Sequence, residues 1–416
     1  MTLAALLAAR WFGPASWGQL GILLAGVQLI SMVGDGFFPT IIKYVSEARA
    51  LGRANAPAVG WRLMWVSVAA LSAASAALCI VSYAVFSHQV EGRWIILAMG
   101  LAIARAWRPC LEGIYRGLQL FRAPALAGAT SAVLTAGSII VAAALGYRVT
   151  AYLLIMLSGS ALNCILLGVA YQRSFKKQPK AVGHQQTEPA DLSTEPATEA
   201  DQQAPEPRTS EFLRYSFPLA MRGIWTFLFL KINIWMLGAM ASDTDAGQFR
   251  LTDQFLTLPT LVLSAVLAAV APRIVQAQLA GKAHLELFIS RVYGLMFALT
   301  LPLAFFFWFN QPVIGRLFPA YGEASQMLAY FAPAMLIIGV GYAASIVPVQ
   351  GGKPGLALGI TIVSGIANVI CAYVGYKIWG VKGLAIATAC VHFLTYFIGT
   401  IVIHWAFGLR FRIRFS

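Results

Sequence analysis

Residues 245–255 read DAGQFRLTDQF and open an apolar run long enough to cross a bilayer. Arg250 and Asp253 sit inside it, three residues apart. Each costs roughly 2.5–3.5 kcal/mol at the centre of an inserted helix, so the pair needs a local or a functional reason. The glycine of the same stretch sets a register. Slid by 229 residues, TDAGQFR at 244–250 falls on ASWGQLG at 15–21, with Gly247 on Gly18. At the same offset Gly281-Lys282 falls on Gly52-Arg53, and IVQAQLAGK runs in step with VSEARALGR. Two matched pairs at equivalent helix ends read as an internal repeat.

Outward from that stretch the whole chain is apolar. Of 416 residues 59% are hydrophobic and 11% charged, against about 25% charged in soluble domains. Runs of membrane-spanning length recur from end to end, and stretches such as LVLSAVLAAVA do not alternate as barrel strands would. The reading is an all-α polytopic membrane protein. Its net charge of +14 fits a cytoplasmic positive bias rather than nucleic-acid binding. The five cysteines lie in apolar stretches without a CxxC, and the five histidines have no ligand spacing, so neither a metal nor a cofactor is expected.

The apolar pattern predicts helices at 1–12, 17–41, 61–87, 94–117, 124–146 and 150–172, then at 213–240, 246–272, 287–310, 325–350, 355–378 and 381–407. That is about 12 spans in two sets of six. The domains expected are an N-terminal bundle at 1–172, a disordered linker at 173–211 and a C-terminal bundle at 212–416. The linker is rich in Pro, Glu, Gln and Thr and lacks an apolar face. The first segment has only 12 residues before Gly13-Pro14 and no basic leader, so it reads as a truncated span rather than a signal peptide. Lys and Arg concentrate on alternate loops, including Arg49, Arg53, Arg62, Arg122, Lys176, Lys177, Arg273 and Lys353. That bias predicts both termini and the linker on the cytoplasmic side. Six spans per half make the repeats parallel. Such repeats, related by a pseudo-two-fold axis along the membrane normal, place a central cavity at their interface.

Charge away from helix ends marks the candidate site. Arg105, Arg108, Glu112 and Arg116 are spaced i, i+3, i+7 and i+11, which puts them within about 80° on one helix face. Lipid does not tolerate such a face, so it looks toward protein or water. Glu112 is one turn from both Arg108 and Arg116, and a structural ion-pair seam is the plainer alternative. Asp35 lies in the second segment. Arg222 and Lys231 lie nine residues apart, on opposite sides of an ideal helix, and can share a cavity only if that helix bends. Lys231 stands between FLFL and INIW with no acid at i±3 or i±4, and so wants an anion. Arg250 and Asp253 read most simply as a local pair. A basic interior attracts an anionic substrate, and guanidinium groups match phosphate. Trp225, Trp235, Asn233, Tyr115 and Gln254 are possible sugar contacts.

These stretches resemble a known family. ARWFGPASWGQLGILLAGVQLISMVGDGFFPTIIKYVSEA is similar to the first two helices of bacterial polysaccharide-export flippases, with their GPxxYG turn. GIYRGLQLFR is similar to the end of their fourth helix, and KINIWMLGAMASDTDAGQF to their seventh-to-eighth turn. GGKPGLALGITIVSGIANVICAYVGYKIWGVKGLAIATACVHFL carries the cadence of their last two helices. The family is the oligosaccharide-lipid flippase branch of the multidrug/oligosaccharidyl-lipid/polysaccharide superfamily. Phe249 and Arg250 depart from its usual aromatic-small pair, so the family does not vouch for Arg250.

The resemblance implies two six-helix bundles around a V-shaped cavity and alternating access in a bacterial inner membrane. It implies a polyprenyl-pyrophosphate-linked oligosaccharide as substrate, with glycan polymerase and export machinery as further partners beside membrane lipid. On that reading Arg105, Arg108, Lys231, Arg250 and Arg222 take the anionic headgroup. Asp35, Glu112 and Asp253 hold those bases or carry a coupling ion. A multidrug cation antiporter of the same superfamily would want acids in its cavity. A lipid II flippase usually has fourteen helices. A membrane polymerase or ligase would need a large outer loop with catalytic groups. No enzymatic activity is expected.

Overall fold

The computed structural model describes residues 2–50, 56–86, 90–147, 149–176, 209–279, 281–350 and 353–410. They form helices α1 (Thr2–Gly34), α2 (Phe37–Ala50), α3 (Ala56–Phe86), α4 (Gly92–Gly117), α5 (Arg122–Ala144), α6 (Val149–Lys176) and α7 (Thr209–Leu230). There follow α8 (Ile232–Met240), α9 (Asp243–Leu279), α10 (Lys282–Trp308), α11 (Gln311–Leu317), α12 (Gly322–Tyr330), α13 (Ala332–Gln350) and α14 (Pro354–Phe407). Among the described residues there is no strand. Most of the expected linker, 177–208, lies outside them, as do Arg53 and Arg148.

Among the described residues seven helices are long and apolar enough to cross a membrane, and up to nine if each bent pair is one span. Two of the seven, Ala4–Arg49 and Gly355–Phe407, are of double length and broken within. The breaks are where backbone chemistry puts them. Gly13 adopts φ 73° and ψ 166°, open to glycine alone, and Pro14 starts the next helix. Trp379 and Gly380 (φ 62°, ψ −146°) interrupt α14. There the chain folds back on itself: a Cβ on Gly375 would lie 2.5 Å from the Gly383 carbonyl. Among the described residues each of the twelve segments expected from the sequence lies largely in helix, with interruptions at 35–36, 231 and 331, and the chain is an all-α multi-pass membrane protein.

The start of α9 is fixed by a reciprocal cap. Asp245 Oδ2 accepts from the Ser242 amide (3.2 Å) and hydroxyl (2.7 Å), while Ser242 Oγ accepts from the Asp245 amide (3.1 Å). This places the helix start at 243, ahead of the expected 246.

The chain divides into two compact units, one of Gly26–Ile224 and one of Thr2–Ala25 with Trp225–Ser416. The division therefore runs through α1 and α7 and does not coincide with the halves 1–172 and 212–416. The reason is close packing at glycines. Gly18 of α1 lies against Asp243 and Gly247 of α9, while Gly223 of α7 lies against Met32 of α1. Small residues let backbones approach where lipid supplies no hydrophobic drive between helices.

In the first unit α4 packs against α2, α3 and α6. Gly117 meets Val45 of α2, and the buried Tyr115 hydroxyl donates to the Leu167 carbonyl (2.7 Å). In the second, α13 packs against α10 and α14, with Gly339 on the Met296 backbone and Gly341 on Tyr396.

Candidate functional site

The first unit holds the α4 face. Arg108 Nε meets Glu112 Oε1 at 2.6 Å, and Arg116 Nη2 meets Glu112 Oε2 at 3.8 Å. The two arginine side chains are each 49% exposed, and the carboxylate between them only 12%. Arg116 also stacks over Phe38 of α2, 5.1 Å from the ring centre. Arg105 is half-buried one turn earlier. Its carbonyl is the one that Pro109, lacking an N–H, cannot bond within the helix. Asp35 is exposed at the break between α1 and α2, within electrostatic range of Glu112. Gly36 packs on Ala220 and Gly223 on Met32, which brings α7 across that break and carries half-buried Arg222 into this unit.

The second unit holds a buried triad. Lys231 stands between α7 and α8 (φ −130°, ψ −13°), and the two helices bend by 55° there. Its Nζ lies 2.6 Å from Asp253 Oδ1, while Arg250 Nη1 lies 3.3 Å from Asp253 Oδ2. The three side chains are 6–9% exposed. The sequence offers Lys231 no acid at i±3 or i±4, and the anion it pairs with is Asp253 of α9, 22 residues on. The helix bend that would let Arg222 and Lys231 share one site is present, yet the two residues fall in different units.

Buried polar side chains bond to the backbone and side chains flanking Lys231. Asn368 of α14 donates to the Leu228 carbonyl (3.0 Å) and to Asn233 Oδ1 (3.4 Å). His392 pairs with the Phe229 carbonyl at 3.2 Å. Arg250 Nε, Asn233 Nδ2 and Asn368 Oδ1 are buried without a hydrogen-bond partner among the described residues. Sequence reasoning missed Asn368 and His392. Their signal was an amide and an imidazole in the largely apolar runs VSGIANVIC and ATACVHFL. Of the suggested sugar contacts, Tyr115 is turned into the first unit's core, and Trp235 Nε1 donates to the Ile22 carbonyl (2.9 Å).

Long apolar helices broken at glycines define a polytopic membrane protein. Solved structures bear this out at the level of fold. The chain is similar to a multidrug resistance MATE family transporter of the MOP superfamily in its inward-facing conformation, with TM-score 0.74 and 16% identity over 98% of this chain and 94% of that one. It is similar to a MOP superfamily transporter from Pyrococcus furiosus (TM-score 0.68, 15% identity, 98% and 92% covered). It is also similar to the lipid II flippase MurJ in an inward closed conformation (TM-score 0.57, 15% identity, 94% and 85% covered). No curated protein matches it. The model of the family described as "Polysaccharide biosynthesis protein" matches residues 3–278, and the chain belongs to that family.

Proposed function

We propose that the protein is a flippase that moves a polyprenyl-pyrophosphate-linked oligosaccharide across the bacterial inner membrane by alternating access, for surface polysaccharide synthesis. One observation carries the reading. In a member of a polysaccharide biosynthesis family, a membrane-spanning helix keeps two half-exposed guanidinium groups on one face. Burying an unpaired ion in hydrocarbon costs tens of kcal/mol by Born estimates, and each unpaired hydroxyl several more. A face edged with cations lowers that cost for a diphosphate, while the prenyl tail stays in lipid.

On this reading the headgroup meets Arg105 and Arg108 first, with Arg222 of the same unit. Lys231 and Arg250, engaged by Asp253, act as a fixed positive patch. Asp35 remains the more available acid for a coupling ion. The positive bias of the alternate loops supports a topology with both termini and the linker in the cytoplasm. Polymerase and export proteins would take the product on the far side.

A strain lacking the protein should accumulate lipid-linked oligosaccharide on the cytoplasmic leaflet. The native chain should clear it, and an Arg105→Ala/Arg108→Ala chain should not. Normal lipid-linked pools together with new drug sensitivity would replace this reading with the antiporter.

A further inference from the structure

We propose that Glu112 is a built-in counter-anion that sets the specificity of the α4 face. It holds Arg108 and Arg116 together so that a diphosphate can bridge them, while singly charged lipid headgroups gain too little to bind. The inference rests on the flippase reading and adds to it a residue that chooses among lipids.

Arg108, Glu112 and Arg116 lie at i, i+4 and i+8, so the two arginine Cα atoms are about 12 Å apart along the helix. Both guanidinium groups nevertheless close on one carboxylate, at 2.6 and 3.8 Å. They come in from opposite directions and cover it, which is why the acid is the least exposed of the three. Neighbouring helices hold each one. Arg116 rests on Phe38 of α2. Arg108 Nη2 lies over Gly128 of α5, 3.6 Å from where a Cβ would sit.

The result is two half-exposed guanidinium groups that share one carboxylate, with a net charge of +1. A phosphodiester headgroup carries one negative charge and can satisfy one arginine that Glu112 has already neutralised in part. A diphosphate presents two phosphoryl groups and more charge, one for each guanidinium. Without Glu112 the same arginines would attract any anionic phospholipid, and those outnumber the substrate in the bilayer. Asp35, within electrostatic range of Glu112, adds to the bias against loosely held anions.

The test uses the purified full chain in nanodiscs of zwitterionic lipid, with polyprenyl diphosphate and phosphatidylglycerol, a singly charged phosphodiester, as probes. The native chain should prefer the diphosphate by about tenfold or more. Glu112→Gln should erase most of that preference by tightening phosphatidylglycerol. The Arg108→Lys/Arg116→Lys chain keeps the charges and Glu112 but loses the forked donors, and its preference should also fall. Preference unchanged in both chains overturns the proposal, and the second chain keeps the test open should the first fail to fold. Inorganic pyrophosphate separates a lipid-borne from a soluble source. Weak competition supports the lipid, whereas competition equal to the polyprenyl ester defeats it. The pool of lipid-linked oligosaccharide in the deletion strain reports on transport itself, so the flippase reading can fail separately.

Discussion

Gly18 and Gly247 occupy each other's repeat position and pack against each other's helix. A Cβ on Gly18 would collide with the Asp243 carbonyl, and one on Gly247 with the Pro14 carbonyl. Since 18 + 229 = 247 and 14 + 229 = 243, the contact maps onto itself under the repeat. The duplication seen in the sequence is thus also a local two-fold relation in the packing of α1 on α9. Gln19 Nε2, donating to Asp243 Oδ2 at 2.9 Å, fastens the same crossing.

Gly18→Ala and Gly247→Ala should each destabilise the purified protein by roughly 1–3 kcal/mol, since the backbones must part to admit a methyl group. Gly137→Ala, where nothing lies within 4 Å, is the control and should leave stability unchanged or slightly raised. Thermal unfolding in detergent distinguishes them. Equal melting of all three would mean that the crossing is loose.

Asp253→Asn should cost about 3–5 kcal/mol, because it leaves Lys231 and Arg250 buried without their shared carboxylate. Lys231→Met alone should cost less, since Arg250 still answers Asp253. The double change should fall short of the sum, and a double-mutant cycle measures the coupling. Charge reversal at Lys231 should lose the folded protein along with export. A well-folded Lys231→Glu chain would contradict the buried pair.

Gln248 caps a helix that is remote in sequence. Its Oε1 accepts from the Ala324 amide in the first turn of α12 (3.0 Å), and its Nε2 donates to the Ala320 carbonyl (3.1 Å). Gln248→Ala should cost about 0.5–2 kcal/mol, as other lost caps do. Hydrogen exchange should rise at the start of α12 and stay unchanged in α14. Uniform exchange changes would argue against a local cap.

Gly380→Ala should strain the turn inside α14 by roughly 1–3 kcal/mol, because φ 62° with ψ −146° is closed to a residue with a Cβ. Gly359→Ala, in the same helix with open space around it, should be neutral. Chains that insert and melt alike would show that the turn tolerates another backbone shape.

Much of the helix layout was legible because it rests on local chemistry. The α4 span was expected at 94–117 and runs 92–117; the breaks at Gly13-Pro14 and beside Gly380 stand where glycine and proline announce them. The start of α9 was missed although Ser242 and Asp245 spell a capping box. Charge spacing on α4 was equally readable, because i and i+4 neighbours on a helix need no tertiary partner.

The sequence by itself determined a chain of membrane-length helices, a repeat with a fixed offset, and an arginine-rich face on α4. Hydropathy, backbone preference and helical spacing act over a few residues, so they survive without knowledge of the fold. Only the tertiary structure decided that Lys231 meets Asp253, that Gln248 caps α12, and that α1 begins among the helices of the second half. Those pairings join positions whose separation along the chain says nothing about their distance in space. A buried charge takes whichever partner the helix crossings bring within reach.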